Sequence, residues 1–113
     1  MTPRRLTIPV FDDERGRVVP VEHGGRELPF VPARSFVICG VPRGQRRAEH
    51  VMTCDEVLIL VSGSVAVIVR HDGRETRYVL DRPGAALHVA EGLWVGLREF
   101  ARGTVLLVLA AKR

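Results

Sequence analysis

Three side chains able to do chemistry stand close together in this chain: the imidazole of His50, the thioether of Met52 and the carboxylate of Glu56. Gly44 lies five intervening residues before the histidine and Gly63 six after the glutamate, so the two glycines frame the three side chains. Residues i and i+2 of a strand share a face, so His50 and Met52 point the same way. An imidazole titrates near neutrality, and a carboxyl in a partly apolar lumen holds its proton to higher pH than one in water. His50 and Glu56 are therefore the candidate catalytic acid/base residues, with Glu56 either orienting His50 or carrying a proton itself. A metal site is the other chemistry that this spacing suggests. Met52 is a soft donor, poorly matched to the divalent ions that imidazole and oxygen ligands hold. No metal and no cofactor are expected.

Arg46 and Arg47 immediately precede the His50 strand, where a loop meets a pocket mouth. Arginine is the better fork for phosphate or carboxylate, so both are candidates to bind an anionic small-molecule substrate. Phe36, Met52, His88 and Trp94 complete the candidate substrate-binding residues. Trp94 reads as a pocket wall, while His88 lies on a strand whose inward face the alternation leaves open. His23 and His71 fall in turns and are assigned to solvent.

Composition narrows the alternatives. The 113 residues suit one domain, which buries roughly two-thirds of its unfolded surface. The net charge of +4 rests almost wholly on arginines that are spread along the chain, and Tyr78 and Trp94 are the only tyrosine and tryptophan, so no nucleic-acid surface is expected. No apolar run approaches the ~20 residues of a membrane-spanning helix, and the first ten residues lack a signal-peptide core, so a soluble cytoplasmic protein is expected. Cys39 and Cys54 read as reduced, buried thiols.

The elements that must position these side chains are strands. Val57 to Val61 is an apolar run ended by Ser62-Gly63-Ser64, and Val65 to Arg70 alternates up to His71-Asp72-Gly73. Arg74 to Leu80, Ala85 to Val89, Leu93 to Phe100 and Val105 to Leu109 continue the pattern, with turns about every ten residues. No segment shows capped helical periodicity. The chain reads as all-β, a single closed or sandwiched barrel spanning residues 1–113, in which the polar, turn-rich residues 1–32 form an N-terminal strand arm.

The framed unit resembles the first motif of the cupins, G-x5-H-x-H-x3-E-x6-G, with Met52 in place of the second histidine. The second cupin motif falls on Ala90 to Val95, where Val95 takes the fourth ligand position. Within that superfamily the chain resembles, over nearly its whole length, the sugar 3,4-ketoisomerases of deoxysugar biosynthesis and the WxcM-like group. Asp13-Glu14-Arg15-Gly16, Leu28-Pro29-Phe30, Gly40-Val41-Pro42-Arg43-Gly44, Arg47-Ala48-Glu49-His50, Leu60-Val61-Ser62-Gly63-Ser64-Val65, Leu80-Asp81-Arg82-Pro83 and Val105 to Ala110 carry the likeness.

The resemblance implies a cupin jelly-roll homodimer with exchanged N-terminal strands. It also implies metal-free acid/base isomerisation of a dTDP-4-keto-6-deoxyhexose through an enediol. Met52 replaces one of the family's two histidines, Phe36 stands at a tyrosine and Val95 where a histidine often follows the tryptophan. Those replacements remove polar groups from the pocket. Two alternatives follow: a cupin repurposed for another isomerisation or cyclisation in natural product biosynthesis, and a non-catalytic relative that binds a ligand or stabilises a partner.

Overall fold

The computed structural model describes residues 2–24 and 28–113. The described residues form eleven strands: β1 Arg4–Thr7, β2 Phe11–Asp13, β3 Gly16–Val18, β4 Arg34–Cys39, β5 Arg47–Val51, β6 Glu56–Ser62, β7 Val65–His71, β8 Arg74–Leu80, β9 Ala85–Val89, β10 Trp94–Arg98 and β11 Val105–Ala110. Five of them form one sheet in the order β1-β9-β6-β11-β4, four form a second in the order β5-β10-β7-β8, and β2-β3 is a separate hairpin. Every pairing is antiparallel. The all-β jelly-roll expectation is met. No helix of the described residues is long and apolar enough to cross a membrane.

The alternation of side chains along the strands makes two cores. Leu58 and Leu60 of β6, Leu87 and Val89 of β9, and Leu106 and Val108 of β11 meet Val65, Val67 and Val69 of β7 between the two sheets. The intervening Val57 and Ile59, Ala86, and Leu109 face the opposite way, onto Ile8 and Leu28, with Leu6, Val19, Val21 and Phe30 packed alongside. The N-terminal residues therefore cover the outer face of the five-stranded sheet. This is why β6 and β11 read as continuous apolar runs where half-buried strands would alternate. Each fully buried Leu, Ile or Val in these layers contributes about 1.5–3 kcal/mol.

One tight approach fixes how β6 and β7 are joined. Gly63, at the β6–β7 turn, has φ +83° and lies against Thr104, where a β-carbon would come within 2.3 Å of Oγ1. Thr104 is the buried polar residue of the described chain; its hydroxyl accepts from the Ser64 amide at 3.1 Å and lies 2.6 Å from the Ala101 carbonyl. Cys39 and Cys54 are both unpaired; Cys54 is buried, but Cys39 is exposed on the edge strand β4, contrary to the expectation for both.

Candidate active site

Between the sheets, β4, β11 and β6 face β5 and β10 across a cleft of ≈ 770 Å³. Its first wall follows from register. Arg34, Ala110 and Glu56 stand opposite one another on adjacent strands, and Phe36, Val108 and Leu58 form the next row inward. Directly opposed side chains share a face within about 5 Å, and the small Ala110 separates the Arg34 guanidinium from the Glu56 carboxyl. Arg34 also lies over the Phe36 ring, 4.8 Å from its centroid.

The second wall depends on an irregularity. On β5, Arg47 pairs with Leu97, Ala48 with Gly96, and His50 with Val95, so Glu49 has no partner and the strand bulges. Ala48 and Glu49 adopt left-handed backbone angles, φ 60° and 66°. Such conformations cost on the order of 1–3 kcal/mol each for residues other than glycine. In a regular strand, residues three apart face opposite sides. The extra residue restores a common face, and Arg47, His50 and Met52 line the cleft together with Val95 and Leu97.

His50 is exposed at the mouth, and its Nδ1 lies 3.2 Å from the Val51 carbonyl. With the proton on Nδ1, that nitrogen donates to the carbonyl and Nε2 is left as the basic nitrogen. Met52 is buried deeper, at 4% exposure. Glu56 is half-buried, and burial raises its carboxyl above the ordinary carboxylate range, opposed by the charges of His50 and Arg34. The cleft thus holds a basic ring and a carboxyl that keeps its proton to higher pH, below a rim of Arg34, Arg46 and Arg47. As a metal site the donor set does not fit: His50 and Glu56 remain, Met52 and Val95 stand at the other two positions, and no three His, Cys, Asp or Glu side chains cluster among the described residues.

Of the residues singled out from sequence, the cleft brings together Phe36, Arg46, Arg47, His50, Met52 and Glu56. His88 and Trp94 lie elsewhere, which corrects their assignment to the substrate pocket. On β9, Leu87 and Val89 face the inter-sheet core, so His88 faces the N-terminal layer, where Nε2 lies 2.8 Å from Asp55 Oδ2 and the ring lies 6.2 Å from Phe30. On β10, Val95 and Leu97 face in, so Trp94 faces out beneath the Arg70 guanidinium, 4.1 Å from its ring centroid. Arg34 and the apolar Ile38 and Val108 were not singled out. Arg34 joins the row of Glu56, Val108 that of Phe36, and Ile38 the next row with Leu106 and Leu60, only once β4, β11 and β6 have paired.

Among curated proteins none matches this chain. Solved structures do. QdtA, a sugar 3,4-ketoisomerase from Thermoanaerobacterium thermosaccharolyticum solved with TDP, superposes with TM-score 0.90 at 27% identity, over 98% of this chain and 81% of that one. A 3,4-ketoisomerase from Helicobacter canadensis gives TM-score 0.90 at 27% identity, over 100% and 85%. The WlaRB TDP-quinovose 3,4-ketoisomerase from Campylobacter jejuni gives 0.87 at 28%, over 98% and 85%. The family described as FdtA, WxcM-like, C-terminal matches residues 1–113. Matched over its entire length, the chain belongs to this WxcM-like FdtA family.

Proposed function

We propose that this protein is a nucleotide-sugar isomerase that moves a carbonyl between adjacent ring carbons of a thymidine-diphosphate 4-keto-6-deoxyhexose. The observation that carries this reading is the meeting of Arg47, His50 and Glu56 in one cleft, in a fold shared with 3,4-ketoisomerases. The arginines at the rim suit a diphosphate, which their guanidinium forks bind by charge-assisted hydrogen bonds. His50 takes the proton from the carbon beside the keto group, and the electron pair forms the enediolate. Glu56, whose carboxyl burial raises above the ordinary carboxylate range, protonates the former carbonyl oxygen. Transfer of the neighbouring hydroxyl proton to the Glu56 carboxylate, and return of the carbon-bound proton by His50 to the former carbonyl carbon, complete the shift and restore both side chains. One base suffices because the proton leaves and returns on one face of the ring.

The protein acts as a homodimer in this reading. Phe11 and Val18 are cross-strand partners on the β2–β3 hairpin, exposed at 63% and 62%, and among the described residues β4 has one unpaired edge. Uncovered apolar pairs and free edges favour a second copy.

A second reading has its own support. Phe36, Met52, Leu58, Val95 and Val108 make the inner cleft apolar, which suits a less oxygenated molecule in another isomerisation or cyclisation.

Two measurements decide between them. NMR in deuterated water should show exchange of the proton beside the keto group of TDP-4-keto-6-deoxyglucose, abolished in His50→Ala. Calorimetry should show thymidine diphosphate bound about 10- to 150-fold more weakly by Arg47→Ala, the equivalent of ~1.5–3 kcal/mol for a charged hydrogen bond. A parent protein that neither binds thymidine diphosphate nor exchanges that proton refutes the nucleotide-sugar reading.

A further inference from the structure

Glu49 touches neither the inter-sheet core nor, on the proposed reading, the substrate, yet it is the residue whose insertion lets Arg47 and His50 share the cleft face. A bulge of two left-handed residues without glycine needs something to hold it, and the side chain of Glu49 is placed to do so. It lies on the outer face of the four-stranded sheet over Gly96, where a β-carbon would stand 2.0 Å from its Oε2. Its Oε1 is 3.5 Å from Arg98 Nη2 and 3.6 Å from Arg46 Nη1. Trp94 walls the same seat and lies beneath Arg70, with Arg98 5.9 Å from its ring centroid.

Glu49 Oε2 and Arg98 Nε are nevertheless buried without hydrogen-bond partners among the described residues. Buried polar atoms without partners destabilise a fold, so the cluster is a poor device for stability alone. Its effect is on geometry. The Glu49 carboxylate fits this seat because residue 96 has no β-carbon.

We propose that Glu49 is a positioning residue: anchored between Gly96, Arg98 and Arg46, it holds the bulge that turns both the ligand-binding Arg47 and the basic His50 into the cleft. The proposal rests on the reading of Arg47 and His50 as the substrate-facing pair. It adds that a side chain on the opposite face of the sheet sets their spacing.

The test uses the intact protein below its melting range, with Glu49→Ala, Glu49→Asp and Gly96→Ala. Glu49→Ala removes the anchor, Glu49→Asp keeps the charge, and Gly96→Ala fills the seat while leaving Glu49 in the chain. Thymidine diphosphate affinity should fall about tenfold in Glu49→Ala and Gly96→Ala and less in Glu49→Asp, without tracking the loss of melting temperature. Backbone dihedrals from NMR chemical shifts should leave the left-handed region at residues 48 and 49 in the first two variants. A purely structural role would lower the melting temperature and leave affinity unchanged.

Parental affinity and unchanged dihedrals in both Glu49→Ala and Gly96→Ala overturn the proposal. Should Glu49→Ala fail to fold, Gly96→Ala and Glu49→Asp decide it by the same two readouts. If the parent itself does not bind thymidine diphosphate, the isomerase reading fails, and the dihedrals at residues 48 and 49 alone decide the role of Glu49.

Discussion

Met52→His puts an imidazole back on the face that His50 occupies, and its consequences for stability and for chemistry run in opposite directions. Met52 is 4% exposed and belongs to the main core, so the new ring nitrogens enter an apolar wall. A buried polar group that finds no partner costs about 1–3 kcal/mol. Unfolding entropy is roughly 2.1 cal/mol/K per residue, or about 0.24 kcal/mol/K for 113 residues. The melting temperature should therefore fall by roughly 4–13 °C, toward the smaller value if the ring reaches the Glu56 carboxyl in the same cleft. A second acid/base group is worth 10²- to 10⁴-fold in rate, so exchange of the proton beside the keto group should rise by at least about a hundredfold. Melting is followed by near-ultraviolet circular dichroism at about pH 8, where imidazole is neutral, and exchange by NMR in deuterated water. A melting temperature equal to the parent's would refute the packing argument. No exchange by the folded variant would show that no keto-sugar sits beside residue 52, and would favour the apolar-substrate reading.

The remaining predictions concern the carboxyl, the turn and the assembly. Burial raises the Glu56 carboxyl above the ordinary 4.5, so the folded state binds this proton more tightly than the unfolded chain. Its contribution is present below about 4.5 and is lost as pH rises through the raised value. Glu56→Gln should accordingly gain stability over the parent on going from pH 4 to 7 in urea titrations, while its exchange rate drops at least about a hundredfold; a constant stability difference across that range would disprove the burial argument. Gly63→Ala should destabilise by about 2–5 kcal/mol, combining strain at positive φ with overpacking, because its methyl would stand 2.6 Å from the Thr104 Cα; a loss under ~1 kcal/mol by denaturant titration would contradict the close approach. Light scattering should give a dimer at micromolar concentration that shifts toward monomer in Phe11→Asp/Val18→Asp, and a monomeric parent would count against pairing through the hairpin.

Much of the architecture is legible without coordinates because it is written in local patterns. Val65 to Arg70, the His71-Asp72-Gly73 turn and Arg74 to Leu80 become β7, its turn and β8 as the alternation and turn chemistry predict, and β7 pairs with β8 from Val65↔Leu80 to His71↔Arg74. The H-x-Met spacing likewise places His50 and Met52 on one face, since both lie beyond the bulge. Period-two patterns and turn residues act over neighbours in the chain, so they survive any arrangement of the rest.

What only the tertiary structure decides are the contacts made between strands far apart in sequence. Residues 86 to 89 run Ala-Leu-His-Val, apolar on both sides, because the N-terminal layer and the opposite sheet each cover one face; the pattern therefore cannot say which way His88 points, and only the packing turns it toward Asp55. Trp94 escapes the pocket for the same alternation that puts Val95 into it. Arg34 reaches the level of Glu56 through register across β11, 22 positions along the chain. The bulge at Glu49 carries no glycine to announce it and is held by Gly96 and Arg98 from the neighbouring strand. Binary pattern specifies which residues can be buried together; register, bulges and the choice between two covered faces are set by long-range pairing energies that no window of sequence contains.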